Sequence, residues 1–301
     1  MPDHPSTDAD TDPLVAGDAV RRSWGSLAEL RLDDGEELVR HDIAGASGEL
    51  PLAALALRRP GSDRLVVHLH GTLDRAHDEL PRFERLRSLS ALDANLLLLA
   101  DTTLSLERSL ATAWFVGDPD TPLIDRYASL VRRAIEAWGI RSAVVAGASS
   151  GGFAALAMAP RVPEALAVAI SPQTRLRLRP TARPFRQFVY NRFGGWDGIE
   201  ARSELRERVD LVHRYEALGP GRAWYVQNSG DLEHLDRHAR PFLEAHGGEI
   251  VRAAEEYHCP GHNPPSAERV RSWIEHALEE PDADPRRFVR EPPPEVPRIR
   301  R

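Results

Sequence analysis

The chain reads as an α/β fold: a mostly parallel central sheet with helices on both faces and a cap insertion. Short apolar runs alternate with segments of helical period, the later runs are apolar throughout as in strands buried on two faces, and one long stretch interrupts the rhythm. The first 19 residues, beginning MPDHPSTDADTDP, are acidic and too poor in apolar residues to offset their ordering entropy, so a disordered tail is expected there. Three early runs follow without intervening helices, at Leu27 to Leu32, Leu38 to Ile43 and Leu52 to Leu57. Asp33-Asp34-Gly35 between the first two predicts a hairpin turn, hence an antiparallel edge. Buried strands are expected at LVVHL (65 to 69), LLLLA (96 to 100), AVVA (143 to 146), LAVAI (166 to 170), AWYVQ (223 to 227) and EIVRAA (249 to 254).

Helices between them follow from spacing. Ile124, Tyr127, Leu130, Val131, Ala134, Ile135 and Trp138 form one stripe, and Val270, Trp273, Ile274, Ala277 and Leu278 another, with Ser266 placed to cap the second. Trp114 and Tyr127 read as core. The interruption spans about 172 to 222 and carries six Arg between Arg175 and Arg192, among Phe185, Phe188, Tyr190, Phe193 and Trp196. An insertion of that length in a compact domain predicts a functional cap. From Pro281 the sequence turns rich in Pro and Arg, so the folded domain is expected over 20 to 280 and a second disordered tail over 281 to 301.

At 301 residues the chain can bury a large core. Its 39 basic residues are all Arg, against 46 acidic ones, for a net charge of −7. With no Lys, Schiff-base and P-loop chemistry are excluded; with no basic footprint, general nucleic-acid binding is not expected. The single cysteine, Cys259, cannot close an intramolecular disulfide. No signal-like N-terminus and no membrane-length apolar stretch is found, which predicts a soluble, cytoplasmic protein without a membrane span.

The string AVVAGASSGGFAALAMA carries the chemistry. A buried-strand run enters Gly147-Ala148-Ser149-Ser150-Gly151 and leaves as an apolar helix, which is G-x-S-x-G in strand-turn-helix context. A nucleophile at such a tight turn needs small neighbours, and the following helix aims backbone N–H groups at a developing oxyanion. Ser149 is the candidate nucleophile and Ser150 supplies one N–H. Serine needs a base and a group to orient that base. Asp231, in the polar turn after AWYVQ, is the candidate acid, with helix capping as its bland role and Glu233 in reserve. His262, in HCPGH before the last helix, is the candidate base, with His258 its rival. The second oxyanion donor is expected from the loop after LVVHL, at Gly71 or Thr72. His70 and Asp101, at strand ends, and Arg175 in the insertion are candidate substrate contacts, although Asp101 could equally begin a turn.

These residues resemble the α/β-hydrolase superfamily over about Val20 to Glu280. More narrowly, PLIDRYASLVRRAIEAWGI, GASSGGFAAL, AISPQT and QNSGDLEH are similar to segments of a bacterial group linked to capsular or cell-surface polysaccharide biosynthesis and accessory secretion, with Ser171 where those relatives carry Asn. The resemblance implies acyl-ester hydrolysis or transfer on a surface glycan, with no cofactor and a small-molecule or glycan ester as partner.

Two metal readings compete with this chemistry. His68, His70, Asp74 and His77 lack the spacing of an H-x-H-x-D-H site, because Asp74 falls four positions after His70 rather than two; His68 is expected to be a satisfied core histidine. His258, Cys259 and His262 have no second paired cluster, so no metal is expected. The Arg-rich insertion reads either as a solvated lid surface or as a platform for an anionic glycan, with Arg forks on acidic groups and aromatic rings on sugar faces. Two function classes follow: a serine esterase or acyltransferase, or a non-catalytic binding or assembly component that keeps the fold.

Overall fold

A computed structural model describes residues 19–32, 35, 38–178 and 183–290. Nine strands form one sheet: β1 (Val20–Trp24), β2 (Leu38–Ile43), β3 (Leu52–Leu57), β4 (Arg64–Leu69), β5 (Asn95–Leu99), β6 (Ser142–Ala148), β7 (Ala165–Ile170), β8 (Ala223–Asn228) and β9 (Val251–Glu256), in the order β1-β2-β3-β5-β4-β6-β7-β8-β9. From β5 to β9 every neighbouring pair is parallel, and β3 runs antiparallel to both β2 and β5.

The antiparallel edge is therefore present, but it is built differently from the sequence expectation. Leu27 to Leu32 is no strand: Leu30 N–H bonds Leu27 C=O and Ser26 Oγ accepts the Glu29 N–H, which curls the segment so that Leu30 packs into the core. The more polar Val20–Trp24 takes the edge instead, parallel to β2 and pinned by Trp24 Nε1–H donating to His41 Nδ1 at 3.0 Å. The antiparallel partner of β2 is β3, so no hairpin joins the first two runs; Asp33 and Asp34 lie outside the described residues.

The buried runs serve two cores because successive strand residues face opposite ways. Leu65, Val67 and Leu69 of β4 join one layer, and Val66 joins the other. Helices α1 (Leu123–Trp138) and α2 (Ser150–Met158) cover the first face. Helix α8 (Ala267–Glu279) covers the second, its first turn capped by Ser266 Oγ accepting the Arg269 N–H. Between β7 and β8 lie α3 (Arg183–Phe193), α4 (Gly195–Glu200), α5 (Ser203–Arg206) and α6 (Leu211–Leu218); α7 (Arg240–His246) precedes β9. Phe185, Phe188 and Phe193 of α3 are buried, and Phe185 meets Trp114 edge-on with centroids 4.8 Å apart. These rings belong to the core and are not open to stack on a sugar; Tyr190 alone among the aromatic residues of α3 is exposed.

Packing continues past the boundary expected at Glu280. Phe288 stacks on His276 at 4.2 Å, its carbonyl accepts from Arg269 Nη2, and Arg290 N–H bonds Glu256. The Arg269–Glu256 ion pair is buried, which explains why a Pro- and Arg-rich segment is held: its backbone completes the hydrogen bonding of two buried charges. Among the described residues no helix is long and apolar enough to cross a membrane.

Candidate active site

Parallel strands deliver the loops after β4, β6, β7, β8 and β9 to one edge of the sheet, the place where such sheets bind ligands. Ser149 sits between β6 and α2 with φ 53° and ψ −116°, a conformation that non-glycine residues rarely adopt. The turn closes because its flanks lack side chains. A Cβ on Gly151 would collide with the Leu69 carbonyl, and one on Gly147 with the backbone of Gly151. Ser149 is thereby held off the helix axis, with its backbone N–H tied to Ile170 O.

Three of the side chains singled out in the sequence meet in a continuous chain. Ser149 Oγ lies 2.7 Å from His262 Nε2, and His262 Nδ1 lies 2.7 Å from Asp231 Oδ2. Burial would raise the Asp231 carboxyl, but hydrogen bonds from His234 and His262 outweigh it and hold the group well below the usual carboxylate range. Asp231 also accepts the His234 backbone N–H, so the capping role and the pairing with His262 coexist. The rivals stand elsewhere. His258 Nδ1 faces Glu256 at 3.6 Å, and exposed Glu233 pairs with Arg237.

The His262 loop is stapled by Asn228. Its Nδ2 donates to the carbonyls of Cys259 and Gly261, both at 2.9 Å, while its Oδ1 accepts N–H groups from Gly230 and His258. Gly261 has φ 72° with open space around a notional Cβ, so the residue before His262 is glycine for its backbone angle and not for close approach. Cys259 takes part through its carbonyl; burial pushes its thiol up, away from the reactive thiolate.

Beside Ser149, the Ser150 N–H opens a helix and has no intrahelical acceptor. Of the two expected partners, Gly71 N–H is directed to Glu84 Oε2 at 3.3 Å. Thr72 N–H has no acceptor among the described residues. The candidate substrate contacts are all engaged within the protein. His70 donates from Nδ1 to Gly71 O and accepts the Asp101 N–H on Nε2. Asp101 is buried and accepts N–H groups from Thr103 and Phe115; burial drives its carboxyl above the ordinary value against those bonds and His70. Arg175 lies 3.4 Å from Asp210. His68 is not a satisfied core histidine: it is buried, between Leu98 and Ala146 in the sheet register, with neither ring nitrogen hydrogen-bonded among the described residues. Asp74 and His77 form an exposed pair away from it.

Two residues that the sequence reading quoted in strings but did not select complete the site. Gln173 Nε2 lies 3.3 Å from Ser149 Oγ and 2.8 Å from His234 Nε2, and its Oε1 accepts the Trp114 indole N–H at 2.8 Å. His234, 2% exposed, stacks face to face on His262 with centroids 3.8 Å apart. The pattern QN-x-x-D-x-x-H carried the signal for His234, since i and i+3 share one face of a helical turn. Among the described residues, Asp231, His234 and His262 are the group whose donor atoms lie close enough to one another to hold a metal ion, and all three are already hydrogen-bonded among themselves.

Fold and edge geometry together define an α/β-hydrolase fold. No protein-family model and no curated protein sequence matches the chain. Among solved structures, the capsule O-acetyltransferase of Neisseria meningitidis serogroup A is similar with a TM-score of 0.56 at 13% identity, over 78% of this chain and 96% of that one. An S-formylglutathione hydrolase from Agrobacterium tumefaciens gives 0.51 at 15% identity, over 83% and 95%. Acetyl xylan esterase 1 from a Thermoanaerobacterium species gives 0.50 at 14%, over 80% and 84%.

Proposed function

We propose that the protein is a serine hydrolase or acyltransferase acting on carboxylic esters, with Ser149 as nucleophile, His262 as base and Asp231 as the group that orients it. The observation that carries this reading is the unbroken hydrogen-bond chain from Ser149 Oγ through His262 to Asp231, seated on a strained turn. His262 Nε2 takes the Ser149 proton as Oγ attacks the ester carbonyl; Ser150 and Thr72 N–H groups face the oxyanion. Collapse of the tetrahedral intermediate expels the alcohol, which receives the proton from His262, and leaves an acyl group on Oγ. Water or a second hydroxyl, deprotonated by His262, then releases it. Ser149→Ala should abolish both turnover of an acetyl ester and labelling by a fluorophosphonate; full activity in that variant would overturn the reading.

The acyl acceptor or donor we propose is a cell-surface polysaccharide. The short strings shared with that bacterial group support this, as does likeness to a capsule O-acetyltransferase. The segment 172–222 would be the cap. Arg183, Arg186 and Arg192 of α3 are exposed, which suits an acidic polymer and also favours the second reading, a glycan-binding component without catalysis. An acyl-enzyme trapped on Ser149 and seen by mass spectrometry would dismiss that second reading.

A further inference from the structure

Two imidazoles share one carboxylate in this site. His262 Nδ1 approaches Asp231 Oδ2 at 2.7 Å, and His234 Nδ1 lies between both oxygens, 3.1 Å from Oδ1 and 2.9 Å from Oδ2. The rings are parallel within 7°. A catalytic proton arriving here could settle on either ring, and a charge on the wrong one would repel the charge that must form on His262.

The protonation state of His234 follows from a neighbour that can only donate. An indole N–H has no acceptor atom, so the Gln173 atom 2.8 Å from Trp114 Nε1 is the oxygen, and the amide NH2 faces the site. An NH2 group offers only protons. His234 Nε2, 2.8 Å away, therefore presents its lone pair and the ring proton sits on Nδ1, toward Asp231. The same NH2 is 3.3 Å from Ser149 Oγ and 3.3 Å from His262 Nε2; occupying an Oγ lone pair turns the hydroxyl proton to His262. His238 also faces His234, its ring 5.0 Å away and its Nδ1 accepting the Thr174 N–H, which fixes the residue next to Gln173.

We propose that Gln173, oriented by Trp114, is a proton-address residue: it keeps His234 neutral and so reserves the Asp231 carboxylate for the one histidine that takes the Ser149 proton. Gln173 touches a reacting atom, whereas His234 acts through Asp231 as a positioning residue. The proposal rests on the catalytic reading of Ser149 and His262, but its first test does not need turnover. Full-length protein labelled with 15N-histidine would report ring-nitrogen states across the pH range in which histidines titrate, with His234→Gln identifying the resonance. His234 is expected to stay neutral with its proton on Nδ1 throughout that range. In Gln173→Glu, which retains an acceptor for Trp114 but turns an acceptor toward His234, the His234 ring should become doubly protonated at neutral pH. On p-nitrophenyl acetate that variant should lose at least about tenfold in kcat/KM, with its acidic limb displaced to higher pH, while its circular dichroism melt stays close to the parent. A wild-type His234 that carries its proton on Nε2, or becomes doubly protonated at neutral pH, overturns the proposal. If Gln173→Glu does not fold, the wild-type titration decides alone. A locked His234 in a protein that turns over no ester would leave this inference standing and remove the proposed function.

Discussion

His68 gives the fold a defined sensitivity to acid. The ring is 1% exposed in β4, has no hydrogen-bond partner among the described residues, and its pKa is pushed down to about 3. Burial is the main cause; Glu84 raises it in part, and Arg85 and His70 lower it further. The unfolded chain binds this proton near pH 6.5, whereas the folded protein does not until about pH 3, so acid favours the unfolded state throughout that window. At about pH 4.5 the unfolded ring is two units below its own pKa, which weakens folding by ~2.7 kcal/mol relative to about pH 8. His68→Leu keeps a comparable volume against Leu98 and Ala146 and removes both the linkage and the unpaired ring nitrogens. Urea unfolding followed by circular dichroism, for both proteins at both pH values, isolates the term, because contributions from other groups such as His41 cancel in the difference. The variant should be more stable at each pH, and its advantage should grow by ~2.7 kcal/mol on going from about pH 8 to about pH 4.5. An advantage that changes by less than about 1 kcal/mol would show that His68 binds its proton inside the fold, and would refute burial as the cause.

Other outcomes follow from the site. Asp231→Asn removes the charge that fixes the His262 tautomer, so kcat/KM for an acetyl ester should fall by about 10³ or more, measured on protein shown by circular dichroism to be folded. Because Asp231 is held below the ordinary carboxylate range, the parent's profile of kcat/KM against pH should show no carboxylate step near about pH 4. Gly151→Ala should abolish fluorophosphonate labelling and lower the melting temperature, since its Cβ meets the Leu69 carbonyl. Replacing Arg183, Arg186 and Arg192 together with Ser should weaken retention on an immobilised acidic polysaccharide without changing turnover of a small acetyl ester; unchanged retention would make that face a plain lid surface.

What could be read from the sequence divides along physical lines. Buried strands such as LVVHL and LAVAI announce themselves because both faces are covered, and the nucleophile turn is legible because small residues at fixed offsets have few other uses. The edge is not legible because an edge strand needs only one good face: Val20–Trp24 is polar and half exposed, while Leu27 to Leu32 is apolar yet curls as a turn. The order past Pro281 is hidden for a related reason, since composition does not reveal that Phe288 covers Trp224 and that backbone groups there satisfy a buried ion pair. Asn228 is legible only as part of a polar turn, because three of its four hydrogen bonds reach a loop some thirty residues on and the fourth holds Gly230 in its own turn.

Gln173 and His234 escaped for a reason that the strand order makes plain. Motif reading follows the chain, and it finds Ser149, Asp231 and His262 because each sits in a recognisable turn. Contacts follow the sheet instead: β7 lies between β6, which leads into Ser149, and β8, which leads to Asp231. Whatever residue leaves β7 and turns toward the edge is wedged between nucleophile and acid, and at that place only a side chain able to donate to both neighbours leaves no buried polar atom unpaired. An amide does this, provided something holds its oxygen away, which is the part that buried Trp114 plays from a loop about sixty residues earlier in the chain. The turn after a central strand, read together with its spatial neighbours rather than its sequence neighbours, is therefore where an α/β sheet of this order hides the groups that tune its site.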